Sequence, residues 1–465
     1  MKKMKLEIVA QAMNGNLHQA KNLGEEQQNV TFVTLDSREV TKDTLFIATP
    51  GERVDGHDYL EQAFEKGAIC VVVERITPYL EIHQDKAYIL VENSFKALKD
   101  LAAYYRQTLS IQVVGISGSV GKTSTKEMIA KVLEQKYKVL KTQGNFNNEV
   151  GLPLTVLKIE KEHDVAVLEM GISDFGEMKR LSMIARPDLC VFTNIGDCHL
   201  EQLGNRKGVL RAKLEMLDYS QANATIILNH QDEHLRTAQI DHQKTILYYG
   251  TSLDAQVRVL SCIDLGLLGT KCKFHTDKGE FEVAIKIPGI HMVDNALAAC
   301  AVGLSMSLTL EEIKAGIEAV TATKGRSNLI QTKHYMVLDD CYNANPVSMK
   351  AGLEVLSNTD LRRVAILGDM FELGELEETY HREIGSAFAK SPIEVGIFIG
   401  TKAKWMYENA QSNNLQQQTY YFESMEAFFS QAQALLKEQD AILVKASHGM
   451  EFTKIVDFLT EKKES

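Results

Sequence analysis

The chain has 465 residues, 45% hydrophobic and 24% charged, the balance of an ordinary soluble globular protein; that is too long for one core, so two to four domains are expected. A formal net charge of −11 argues against a nucleic-acid binder, whose domains are usually basic, but leaves anionic small-molecule substrates open. No run approaches the roughly 20 apolar residues of a membrane span, and seven widely spread cysteines without a C-x-x-C pair fit reduced thiols, so a cytoplasmic protein is expected.

The first lysines are followed by Glu7 and Gln11, which interrupt any apolar signal core. Residues 1–106 then mix short strand-like runs (45–48, 69–73, 87–91) with helical ones (59–66, 94–107), as in a small α/β domain. Two polar clusters, Asp36-Ser37-Arg38 and Asp55-Gly56-His57-Asp58, stand beside apolar segments. Turn chemistry with solvated charges accounts for both. The functional alternative is an anion site, with Arg38 as a fork donor to phosphate.

At 113–116 the apolar run VVGI empties into SGSVGKTSTK (117–126). A buried strand, a glycine turn and a helix beginning near Thr123 make a phosphate cradle. Gly118 and Gly121 allow the loop N–H groups to turn inward. Lys122 reaches the β/γ-phosphates, and the Thr123 hydroxyl can sit on magnesium. Ile116 stands where the commonest pattern has its first glycine, so the motif is the variant G-x-x-G-K-T. The expected ligand is ATP.

Beyond the cradle, 165–170, 189–194 and 225–229 are nearly continuous apolar runs separated by helical stretches, which predicts a parallel sheet covered on both faces. Glu169, His199 and Asn229 fall at or just past strand C-termini, where ligands bind in open α/β sheets. Glu169 in an apolar strand requires either magnesium or a buried ion pair. His199 is either a satisfied structural histidine or part of the same site. Residues 271–286 alternate around Asp277-Lys278-Gly279, which predicts a β-hairpin appended to the central domain. An apolar helix over 294–304 carries Asn295 near its start. A third α/β unit follows Thr323-Lys324-Gly325-Arg326, with strands at 335–338, 364–367, 395–399 and 441–444, and Asp339 to Pro346 ending the first of them. The charged tail 461–465 is expected to fray.

The ordered motifs SGSVGKTSTK, TQGNFNNEVGLPLT (from Thr142), LEMGIS (from Leu168), TNIGDCHLEQLG (from Thr193), RAKLE (from Arg211), GIHMVDNALAA (from Gly289), KGR (from Lys324), DDCYNANPVSM (from Asp339) and LGDMFELGE (from Leu367) resemble those of the Mur ligases over essentially the whole chain. The resemblance is greatest to the branch that joins D-alanyl-D-alanine to UDP-N-acetylmuramoyl-tripeptide. It implies an α/β protein of three domains. These are a uridine-nucleotide domain over 1–106, a central ATP domain over 107–322 with a P-loop-type, mostly parallel sheet and an antiparallel appendage, and a Rossmann-like domain over 323–465 that closes on ATP and the amine. A monomer without nucleic-acid partners and without a membrane span is expected.

Carried over by motif, the resemblance implies ATP contacts from Gly118, Ser119, Gly121, Lys122, Thr123 and Ser124. Asn295 would meet the adenine, Arg326 the phosphates, and Asp340 the ribose, with Asn343 and Asn345 lining the nucleotide cleft. Two magnesium ions are implied, one on Thr123 and Glu169 and one on His199, with Lys213 carbamylated to bridge to metal. Lys122, Glu169, His199 and Lys213 would thus carry catalysis. Ser37 and Arg38 would hold the uridine nucleotide, Asn145 and Asn148 would face the sugar-peptide, and Lys445 would also touch substrate.

The chain departs from the family pattern at Ser117, Val120, Asn205, the stretch Asn229-His230-Gln231-Asp232, Ala446 and His448. Two alternatives therefore stand beside the ligase. One is another Mur-type or folylpolyglutamate-type enzyme, against which the motif Tyr342 to Pro346 argues. The other is an ATP-binding scaffold paralogue without turnover.

Overall fold

Each of the long apolar runs becomes a strand flanked by helices, because only pairing on both edges and cover on both faces satisfies such a segment. The computed structural model describes residues 1–18, 29–51, 54–241, 243–413 and 416–460; the tail 461–465 lies outside the described residues.

The central sheet has nine strands. Val139–Lys141 lies at one edge, followed by Val165–Glu169, Gln112–Ser117, Leu189–Phe192, Thr225–Asn229, Thr245–Gly250 and Val257–Asp264, all parallel. Thr270–Thr276 and Gly279–Ile285 then pair antiparallel, so the expected hairpin extends the sheet rather than standing apart from it. Strand order reverses at Gln112–Ser117, whose neighbours Val165–Glu169 and Leu189–Phe192 come from opposite directions of winding. The crevice beyond its C-terminal end is the topological switch point of the sheet.

The N-terminal residues form a five-stranded sheet in the order Asn16–His18, Tyr88–Leu90, Ala68–Val73, Thr44–Ile47, Phe32–Thr34, parallel except for its first pair. A two-stranded pair, Met4–Lys5 with Asn29–Val30, stands beside it. The C-terminal sheet has six strands, with Asn328–Gln331 antiparallel at its edge and the rest parallel. Asp339 therefore ends the second strand of this unit, not the first. Asn328–Gln331 is short and half-buried, which leaves its apolar signature weak. The α/β class with a mostly parallel central sheet and an antiparallel extension is as expected.

One expectation fails at the appendage. Cys262 and Cys272 are cross-strand partners with Cα atoms 4.2 Å apart and are paired as a disulfide. Their pairing depends on strand register across a turn, which spacing along the chain does not reveal. The other cysteines of the described residues are free, and no helix among those residues is long and apolar enough to cross a membrane.

Candidate active site

Gly121 starts the helix Lys122–Leu133 in the left-handed region (φ 82°), and a Cβ on Gly118 would collide with the Thr193 hydroxyl. Glycine at both positions lets the loop fold tightly over the switch point. The loop is also tied from the neighbouring strand end. Asn194 accepts the Val120 N–H (2.9 Å), and the Val120 carbonyl accepts from Thr193 Oγ1 (2.7 Å) and Asn194 Nδ2 (3.0 Å). Val120 is thus held by its backbone. The buried Ser117 hydroxyl donates to the Met170 carbonyl (3.0 Å).

Two lysines converge on one carbonyl. Lys122 Nζ donates to Gly118 O at 2.8 Å and to Ser119 O at 3.3 Å; Lys213 Nζ donates to Gly118 O at 3.0 Å. Both amines are pushed down from the ordinary lysine value, chiefly by burial, and Lys213, facing Lys122, reaches about 7. Lys213 reaches the underside of the loop from the helix Arg206–Leu214, whose first turn is capped by Asn205 accepting the Gly208 N–H at 3.1 Å. Asn205 therefore does the N-cap work of a serine.

Glu169, 2% exposed, ends its strand beside this loop. Its Oε1 accepts from Thr123 Oγ1 (3.2 Å) and Asn147 Nδ2 (2.9 Å). Its Oε2 is buried without a hydrogen-bond partner, and the nearest cation, the buried Lys126 ammonium, stands 3.8 Å away while engaging Glu127 at 3.1 Å. Both sequence alternatives for Glu169 are thus partly present. A long ion pair exists, yet one oxygen is left orphaned, as fits a cation held against the Thr123 hydroxyl. Among the described residues no three Asp, Glu, His or Cys side chains converge. That suits magnesium, which is commonly bound by one or two carboxylates with the remaining positions left to water and substrate phosphates.

A cleft of about 930 Å³ opens in front of the loop and is shared by the central and C-terminal units. It gathers Ser119, Gly121, Lys122, Thr123, Ser124, Glu169, His199 and Asn295 from the first, and Arg326, Asp340, Asn343, Asn345 and Lys445 from the second. The exposed Asn145 and Asn148 line its rim, and Asn148 also accepts the Val150 and Gly151 N–H groups at 3.2 and 2.9 Å. Gly118 and Lys213 lie behind the loop, outside the lining.

At the C-terminal wall the Arg326 guanidinium lies over the Tyr342 ring, 4.0 Å from its centroid. Lys445, predicted as a substrate contact, lines the cleft and engages Asp340 Oδ2 (2.6 Å) and the Asn343 carbonyl (3.1 Å) through its buried ammonium. Asp340 Oδ1 also accepts the Ser327 N–H (3.0 Å). Asn345 caps the helix Pro346–Ser357 through the Ser348 N–H (2.8 Å). Ala446 is fully buried, and a Cβ on Gly368 would press on it; the His448 ring packs 5.2 Å from Tyr342. On the central side, Asn295 Oδ1 accepts from Thr125 Oγ1 (2.9 Å), and Asp232, the surviving acid of its stretch, accepts the Ile195 N–H (2.6 Å).

Ser37 and Arg38 do not join this cleft. Arg38, with a side chain 83% exposed, grips Asp36 through both carboxylate oxygens, and Ser37 donates to Gln62 Oε1 at 2.6 Å. The turn-chemistry alternative describes this cluster. Asp55 likewise holds Arg75 (2.6 Å) and His57 (2.6 Å). The residues that sequence reasoning missed are Lys126, Asn147, Asn194, Tyr342 and Glu372. All but Lys126 line the cleft, and each stands inside a motif already singled out.

Family models match along the chain in order. The Mur ligase family catalytic domain matches residues 29–106, the Mur ligase middle domain 116–303, and the Mur ligase glutamate ligase domain 325–448. A Bacillus subtilis (strain 168) relative named UDP-N-acetylmuramoyl-tripeptide–D-alanyl-D-alanine ligase is 37% identical over 442 residues, covering 94% of each chain. A crystal structure of MurF from Acinetobacter baumannii superimposes with TM-score 0.88 at 29% identity, covering 99% of this chain and 100% of that one. The Thermotoga maritima MurF ligase in complex with ADP gives 0.80 at 28%, over 92% and 96%.

Proposed function

The chain belongs to the Mur ligase family, and from that premise we propose that it uses ATP to join D-alanyl-D-alanine to UDP-N-acetylmuramoyl-tripeptide in peptidoglycan precursor synthesis. What carries this reading is one cleft that has a phosphate loop with Lys122 on one wall, the orphaned Glu169 oxygen beside it, and Arg326 with Asp340 on the other wall.

A carboxylate does not condense with an amine in water unaided. In the proposed reaction a terminal carboxylate oxygen of the tripeptide attacks the γ-phosphorus of ATP. The bond from that phosphorus to the β–γ bridging oxygen breaks, and ADP leaves. The amine of D-alanyl-D-alanine then attacks the acyl carbon, the tetrahedral intermediate expels inorganic phosphate, and the amine proton passes to solvent. Two anions must approach in the first step, so the site needs fixed cations and oriented N–H donors. Lys122 and the N-terminus of its helix supply these on the loop side, and Arg326 supplies one from the opposite wall.

Thr123 and Glu169 would hold one magnesium ion and His199 a second, and bound magnesium would neutralise charge on the triphosphate. Lys213 is the proposed carbamate. Burial beside Lys122 keeps a large share of its amine neutral near pH 7, the form that adds carbon dioxide. The N-terminal unit is proposed to hold the uridine nucleotide near Ser37 and Arg38, which requires Arg38 to exchange Asp36 for phosphate. In this reading Asn145 and Asn148 face the sugar-peptide at the rim, Asn295 the adenine, and Asn343 the nucleotide. The boundaries near 106 and 322 are the proposed domain limits.

Phosphate release measured with the tripeptide nucleotide, with and without D-alanyl-D-alanine, tests the reading. Release should require both substrates and be lost in Lys122→Ala. ATP binding without turnover would instead favour the scaffold. Two of the departures fit their surroundings sterically, since the Val120 backbone is tied to Asn194 and Ala446 is fully buried.

A further inference from the structure

Two non-glycine residues in the left-handed region meet across the boundary between the central and C-terminal units. His199 has φ 50° and Glu372 has φ 61°. The His199 Nδ1 lies 3.4 Å from Glu372 Oε2, and both residues line the cleft. Such backbone conformations cost energy in ordinary residues and persist where the surroundings over-determine them.

The surroundings of Glu372 do so. Asp369 Oδ1 accepts the N–H groups of Lys402 (3.0 Å) and Ala403 (2.7 Å), and its carbonyl accepts that of Ser447 (3.0 Å). The Met370 N–H is held by the buried His381 ring (3.0 Å) and the Phe371 N–H by Ser447 Oγ (2.9 Å), while Leu373 is buried. Every neighbour of Glu372 is bolted to the C-terminal unit. Glu372 alone points away from it, with a side chain 73% exposed, toward a histidine on the other unit.

We propose that Glu372 is a positioning residue of the reacting centre: docking of the C-terminal unit brings its carboxylate to His199 Nδ1, fixes the ring, and leaves Nε2 turned to the cleft for the cation. The contact shortens to a hydrogen bond from Nδ1–H when substrates draw the units together, as catalytic contacts tighten in the loaded enzyme. The inference rests on the cation reading given above for His199.

The test uses the full chain with ADP and Mn²⁺, binding being read by electron paramagnetic resonance in wild type, Glu372→Ala, Glu372→Gln and His199→Ala. Glu372→Ala should weaken Mn²⁺ about 10–100-fold, the usual loss for such a partner. Its affinity for ADP without metal and its melting temperature should stay at the wild-type values. Glu372→Gln keeps an oxygen that accepts from Nδ1–H and should retain most of the affinity. Wild-type Mn²⁺ binding by Glu372→Ala, with His199→Ala weakened, would overturn the proposal alone. Equal loss in the Ala and Gln variants would overturn it too, since charge and not ring orientation would then matter. If His199→Ala also binds Mn²⁺ normally, the cation role of His199 itself fails.

Discussion

Lys122 and Lys213 share a single acceptor, the Gly118 carbonyl, behind a loop that ordinarily faces a triphosphate. Burial first, and then the like charge of Lys122 on the same oxygen, disfavours the Lys213 ammonium, so this enclosed amine yields its proton readily. With its value near 7 in the folded protein and the ordinary lysine value in the unfolded chain, Lys213 binds fewer protons when folded over the window between them. The unfolded state then holds the extra proton, so stability rises with pH through that window, by up to about 1.4 kcal/mol per unit. Melting curves from pH 7 to 9 should show wild type gaining on Lys213→Met; parallel curves would mean that Lys213 is not buried as an amine. The proposed carbamate predicts, separately, that Lys213→Ala abolishes turnover and that short added carboxylates restore part of it; near-normal activity would falsify that role. At this scale the location of a residue at the cleft was legible wherever its type and its strand or loop position agreed, as for Lys122, Thr123 and Glu169. The sequence was silent on pairings made through space. Lys445 with Asp340, Lys126 with Glu169, and Glu372 with His199 join positions far apart in the chain, and each needs the fold to bring it about.

The phosphate loop works because a strand, a turn and a helix leave no room for side chains at its bend. Gly118→Ala places a methyl on the Thr193 hydroxyl, which itself holds the Val120 carbonyl, so the clash propagates into the loop. We expect the variant to fold, since the sheet beneath is unaltered, but to lose most of the ADP-induced rise in melting temperature. A wild-type rise would show that the loop tolerates a shifted Thr193. The parallel strands were readable as elements because burial on both faces makes them continuously apolar. Val139–Lys141 and Thr245–Gly250 were not, being short or only partly buried. The disulfide Cys262–Cys272 escaped for a related reason, since register belongs to a pair of strands and not to either one.

Across the molecule the three units are not equally independent. The helix Ser94–Gln107 buries Leu98, Leu101 and Tyr105 in a core continuous with Leu152, Val156 and Leu181 of the central unit. Its Tyr105 hydroxyl donates to the Ile159 carbonyl (2.5 Å), and its Arg106 reaches the Ala185 carbonyl (2.9 Å). The N-terminal and central units therefore share one core, and we expect them to move together. The C-terminal unit has two cores of its own, and among the described residues only Leu267, in the turn Gly266–Leu268 of the antiparallel extension, reaches into one of them from the central unit. Beside it, Asn358 donates to Asp264 Oδ2 at 2.7 Å. We expect that small dock to act as a pivot about which the C-terminal wall of the cleft swings, carrying Arg326, Asp340 and Glu372 toward the phosphate loop. Small-angle scattering of the full chain should accordingly show a decrease in radius of gyration, on the order of 1 Å, when ATP analogue and tripeptide nucleotide are added. Leu267→Asp weakens the dock without touching the cleft, so the free variant should scatter as a larger particle than free wild type and close less completely with ligand. Superimposable curves for free and liganded wild type would mean that the two walls are already fixed, and that substrates enter a cleft which does not move.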